Sequence, residues 1–156
     1  MTTWEDVTRG APELAAAVRA IFDSGTNKTL ATLRRDGSPR ISATELVLGE
    51  RDVSLGMMGG SRKLADVRRD PRVALHSPTL EPPPGYTGWA GDAKLAGRLV
   101  ETGEAEGHPG SAAFVLDITE VVLTHVEGER LVVQSWTPAA GLRRRERGED
   151  PRDEAQ

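Results

Sequence analysis

The sequence predicts a mainly β domain with few helices, built as a small antiparallel barrel of six to seven short strands. Runs of β-forming residues recur between strong turn signals, and only two stretches carry the spacing of an amphipathic helix. Two of the later runs also break their alternation, which lets a sheet bend far enough to close and hide its edges.

The chain has 156 residues, one domain's worth and enough for a real core. Residues 1–138 are expected to form that domain, and the charged tail 139–156 to be disordered. Pro12 to Asp23 places Leu14, Val18, Ile21 and Phe22 at helical spacing, with Pro12 suited to a first turn. Lys28 to Arg35 reads as a half-buried strand, and Asp36-Gly37-Ser38-Pro39 as a turn. Arg40 to Leu48 is a second strand. Gly49 to Asp52 turns the chain into a third, Val53 to Met58, and these hairpins predict a meander.

Arg62 to Arg69 is the second helix, presenting Leu64 and Val67 inward and stopped by Asp70-Pro71. Arg72 to Ser77 is the fourth strand. Pro78 to Trp89 contains Pro82-Pro83-Pro84-Gly85 and is a semi-rigid loop, either cover for a site or a surface excursion. Asp92 to Thr102 is the fifth strand, in which Gly97 predicts a bulge. Ser111 to His125 alternates at Phe114, Leu116 and Ile118, then shifts phase at Val121 and Leu123. Arg130 to Trp136 is the last strand. Beyond Pro138 the chain lacks apolar anchors, so only its first few residues are expected to dock.

Composition excludes several classes of function. There is no cysteine, so disulfides, thiol chemistry and cysteine metal sites are absent. A net charge of −4 argues against a general nucleic-acid or membrane-surface role. The first residues lack the basic and apolar blocks of a secretory signal, so the cytoplasm is the expected compartment. His76, His108 and His125 are too dispersed for a metal site or a triad and read as structural.

The chemistry concentrates in VSLGMMGGSRKLADVRRDP, Val53 to Pro71. Gly59 and Gly60 permit backbone angles that side chains forbid. Ser61 can cap the helix that follows, whose free N–H groups favour an anion. Arg62 and Lys63 put two cations in the first turn, where the helix dipole disfavours them. A bound phosphate resolves that conflict, although a Gly-Gly-Ser turn is also ordinary punctuation. The spacing is not that of a Walker loop.

LATLRRDGSPRIS, the Ser61-Arg62-Lys63 signature and DPRVAL at Asp70 to Leu75, in this order, resemble the pyridoxamine 5′-phosphate oxidase-like superfamily of flavin and deazaflavin proteins. The resemblance spans Thr29 to Trp136. It implies a split β-barrel of the FMN-binding type, a homodimer, and a cofactor at the subunit interface, with FMN first and the deazaflavin coenzyme F-420 as the alternative. Carried over, Arg40, Ile41 and Ser42 match the strand beside the ring, and Gly56, Met57 and Met58 the facing strand. Ser61, Arg62 and Lys63 match the phosphate signature. Trp136 resembles an aromatic at the cofactor edge, with a core or dimer-contact role as the competing reading.

Departures matter too. Glu45 stands where a lysine or tryptophan is usual, Asp66 where asparagine is frequent, and Asp92 near an expected glutamine. No Arg-x-His motif follows Trp136, so vitamin B6 oxidation is disfavoured. The resemblance therefore implies an FMN-binding oxidoreductase acting on a small molecule, with a deazaflavin-dependent reductase as the alternative. In such proteins the cofactor does the chemistry and the protein binds and orients it. No catalytic side chain is assigned; Glu45 would serve as an acid or base only if buried. A third reading is a flavin- or haem-binding module without turnover, its haem form needing His76 or His125 as axial ligand.

Overall fold

The computed structural model describes residues 1–147, and they form three α-helices and a nine-stranded antiparallel sheet. Helix α1 (Trp4–Gly10) opens with a capping box, in which the Thr3 side chain accepts from the Asp6 N–H while the Asp6 carboxylate accepts from the Thr3 N–H. The sequence reading passed over this helix, although Thr-x-x-Asp is its signal. Helix α2 (Pro12–Phe22) follows without a side-chain cap and buries Leu14, Val18, Ile21 and Phe22 against the sheet. Each such side chain contributes about 1.5–3 kcal/mol. Arg19 ties α2 to the sheet by donating to the carbonyls of Leu48 and Gly49.

The strands are β1 (Lys28–Leu33), β2 (Pro39–Thr44), β3 (Val47–Leu48), β4 (Val53–Met57), β5 (Arg72–His76), β6 (Asp92–Gly103), β7 (Ala112–Glu127), β8 (Arg130–Thr137) and β9 (Gly141–Arg147). Their order is β2-β1-β5-β6-β7-β4-β3, with β8 on β7 and β9 on β8. This is not a simple meander. β4 keeps its hairpin partner β3 on one side but pairs on the other with β7, at Ser54↔Val115 and Met57↔Ala112.

β7 organises the sheet. β6 pairs along nearly all of it, while β4 takes residues 112–115 and β8 takes residues 121–127. Thr119 and Glu120 are both exposed where the alternation slips, between these two halves. Gly97 lies opposite this slip, as expected: the β6–β7 register shifts between Ala96 and Gly97, where Thr119 is skipped, and a second time between Glu101 and Gly103. β2 and β3 lie at opposite ends of the strand order, yet only Glu45 and Leu46 separate them in the chain. From Thr44 to Val47 the chain takes three steps, at most about 11 Å, so the sheet must curl until its ends meet. That curling makes the barrel.

Helix α3 (Arg62–Arg69) matches its expected bounds and turns Leu64 and Val67 into the core. One expectation fails at the C-terminus: Gly141–Arg147 is a strand, paired with β8 from Leu131↔Arg147 to Thr137↔Gly141. An edge strand needs only a backbone ladder, and charged side chains suit its open side. The rest of the expected disordered tail, 148–156, lies outside the described residues. The loop Pro78–Trp89 is a surface excursion, exposed from Pro83 to Gly88 and anchored through Trp89. Trp89 Nε1 donates to the Leu80 carbonyl at 3.1 Å, and the Trp89 carbonyl accepts from the Val126 N–H at 3.0 Å.

Candidate functional site

A cavity of about 590 Å³ opens where the sheet ends meet. Its walls come from the end of β2 (Ala43, Thr44), the connecting Glu45, the end of β4 (Gly56, Met57) with Met58, and Lys63 in the first turn of α3. The loop between β6 and β7 closes it with Ala105, His108 and Ser111. A neighbouring groove of about 680 Å³ shares Glu45, Gly56 and Ala105 and runs along β3, β4 and β7.

Ser61 is the N-cap of α3, its hydroxyl accepting from the Leu64 N–H at 3.3 Å. Gly60, with φ +74°, makes the turn before it. Gly59 is required for a different reason: a Cβ there would lie 2.2 Å from the Gly110 carbonyl oxygen. The glycine pair thus packs the β6–β7 loop against the start of α3. Lys63 Nζ donates to the Ala43 carbonyl at 2.8 Å, and burial lowers its pKa. An ammonium has three donors, so this bond leaves capacity for a ligand oxygen.

Of the residues singled out by sequence, Gly56, Met57, Met58 and Lys63 line the cavity. Ser61 and Arg62 directly precede Lys63 but do not line the cavity, and Arg62 is exposed with no hydrogen-bond partner among the described residues. Ile41 points outward, 73% exposed, and Ser42 is half-buried opposite Leu30. Arg40 lies one turn further along α3, where its Nε donates to buried Asp66 at 2.7 Å. Trp136 is core in this chain, 6% exposed, with its indole nitrogen against Gly10.

Sequence reasoning missed His108. It arrives on the loop Glu104–Ser111, whose sequence EAEGHPGS has no regular period, so nothing in its spacing announced a wall of the cavity. The other histidines lie elsewhere: His76 Nδ1 is 2.7 Å from the Ser77 carbonyl, and His125 sits beside Glu127 on β7. Among the described residues no cluster of His, Cys, Asp or Glu could hold a metal, and no helix is long and apolar enough to cross a membrane.

The geometry is that of a split β-barrel, with a lysine-headed cavity at its seam. Solved structures share the fold. PhzG from Burkholderia lata 383, in complex with tetrahydrophenazine-1-carboxylic acid, superposes with a TM-score of 0.62 at 12% identity, over 90% of each chain. A pyridoxamine 5′-phosphate oxidase-related, FMN-binding protein from Nostoc punctiforme PCC 73102 gives 0.58 at 12% identity, over 89% of this chain and 96% of that one. An F420 reductase gives 0.51 at 15% identity, over 65% of this chain and 92% of the other. No protein-family model and no curated protein matches the sequence.

Proposed function

We propose that this chain is an FMN-binding oxidoreductase acting on a small molecule by hydride transfer through the flavin. The observation that carries the reading is Lys63, an amine in the first turn of a capped helix, set in a cavity walled by strand backbone and Met57. FMN offers a phosphate to the amine and a flat, largely apolar ring to the strands. When bound, the flavin supplies the redox chemistry. Lys63 and the α3 N-terminus hold the phosphate, Ala43 and Gly56 border the ring, and His108 limits access to it.

The site is completed, in this reading, by a second copy of the chain. Ile41, Val47 and Met58 are 73%, 64% and 78% exposed, all close to the cavity in sequence or on its walls. Such side chains on the rim of an open groove are well suited to a dimer contact. Sedimentation of the purified protein is expected to give a dimer, and a monomer at micromolar concentration would refute this part.

A deazaflavin-dependent reductase is the second reading, supported by the fold shared with an F420 reductase. Absorbance of the protein as purified, followed by titration with FMN and then with coenzyme F-420, separates the two. FMN is expected to bind and shift its visible spectrum; binding of coenzyme F-420 alone would transfer the assignment to the second reading.

A further inference from the structure

The groove of about 680 Å³ beside the Lys63 cavity holds a buried cation that the proposed cofactor site does not use. β1 alternates so that Lys28, Leu30 and Thr32 face the barrel interior, and Lys28 is only 7% exposed. Its ammonium donates to the carbonyls of Gly25 and Thr26 at 2.7 and 3.1 Å and makes no ion pair among the described residues. An ammonium has three donors, so one N–H is left over. Two carbonyl dipoles offset the charge only in part, whereas buried charges are as a rule paired.

Elsewhere on the groove the charge is of the other sign. Glu45 lies on the wall shared with the Lys63 cavity, and Glu106 on the loop between β6 and β7. Both are exposed, and neither carboxylate has a hydrogen bond or ion pair among the described residues. The floor follows from the β4–β7 register. Ser54 opposite Val115 and Gly56 opposite Ala113 share the open face, while Leu55 and Phe114 alternate into the core. Short side chains on that face leave room for a flat body.

A simple anion is drawn to Lys28 but repelled by Glu45 and Glu106, and a simple cation meets the reverse. A molecule carrying both charges satisfies both ends. We propose that the groove binds a small molecule with one carboxylate and one amine, the carboxylate on Lys28 and the amine against Glu45. It is the class of substrate presented to the cofactor. Only that last assignment rests on the flavin reading; the binding itself does not.

NMR titration of the backbone amides with para-(aminomethyl)benzoate tests it, first on the protein alone and then with FMN present. The probe is expected to shift the amides of Gly56, Ala113 and Val115. It should bind about threefold more tightly than benzoate, which lacks the amine, and about tenfold more tightly than benzylamine, which lacks the carboxylate. Lys28→Gln keeps an amide donor for the Gly25 and Thr26 carbonyls but removes the charge. It is expected to weaken the probe and benzoate about tenfold without weakening benzylamine. Glu45 is exposed, so Glu45→Gln carries the test even where Lys28→Gln fails to fold; it should weaken the probe and benzylamine about threefold and spare benzoate. A Lys28→Gln variant that melts lower yet binds all three compounds like wild type would make Lys28 structural and overturn the proposal. Absent shifts, or displacement of the probe by FMN, would overturn it too. A protein that binds the probe but not FMN would support the groove and remove the cofactor reading.

Discussion

A carboxylate as buried as that of Asp66 needs partners on both oxygens, and it has them. Arg69 donates to Oδ1 at 3.1 Å, and Thr32 and Arg40 donate to Oδ2 at 2.8 and 2.7 Å. Burial on its own raises a carboxyl pKa, but the hydrogen bonds from Arg40, Thr32 and Arg69 outweigh it and bring Asp66 down to about 2. The folded pKa lies below the unfolded value of 3.8, so the ionised group's stabilisation is complete above about pH 4 and lost as pH falls toward 2. Asp66→Ala is expected to cost about 3–5 kcal/mol at neutral pH, because it strands buried donors and charge. In urea denaturation the gap between variant and wild type should narrow from pH 4 to pH 2; a gap independent of pH would contradict the role given to the ionised carboxylate. The sequence marked Asp66 as unusual but could not name its partners. Thr32 and Arg40 lie 34 and 26 residues away, and only the pairing of β1 with β2 under α3 brings them together.

At the scale of elements, alternation and turn chemistry made the strands legible, and α3 was read to the residue because a cap and an Asp-Pro stop both mark it. Gly97 was legible for the same kind of reason, as a residue that strand interiors avoid unless the backbone must bend. A Cβ there would lie 2.1 Å from the Asp117 carbonyl oxygen, so Gly97→Ala must push β6 from β7 at the bulge. The expected cost is about 1–3 kcal/mol, read as a fall of about 2–4 °C in Tm per kcal/mol. An unchanged Tm would mean that the bulge is not a close contact. Strand β9 was not legible. Its arginines resemble a solvated tail, and a ladder formed by backbone alone leaves little trace in side-chain pattern. The pairing of β4 with β7 was hidden too, since local turn signals favour neighbours and say nothing of partners some sixty residues on.

For the whole molecule, closure and site are one event. β2 and β3 are consecutive in the chain and opposite in the sheet, so the barrel's seam falls at Glu45, and the cavity opens there between the ends of β2 and β4. Sequence alone found the side of the seam that α3 supplies, because Ser61 and Lys63 belong to a local motif. It missed the side supplied by His108, which depends on where a long hairpin returns. The proposed cofactor site depends on Lys63 receiving a phosphate. The direct measurement is a comparison of FMN with riboflavin, which lacks only the phosphate, binding to wild type and to Lys63→Ala, followed by quenching of flavin fluorescence. Wild type should prefer FMN by about 1.5–3 kcal/mol, the scale of a hydrogen bond to a charged group, and the variant should lose most of that preference. Equal affinity of wild type for FMN and riboflavin, or a preference untouched in Lys63→Ala, would contradict it.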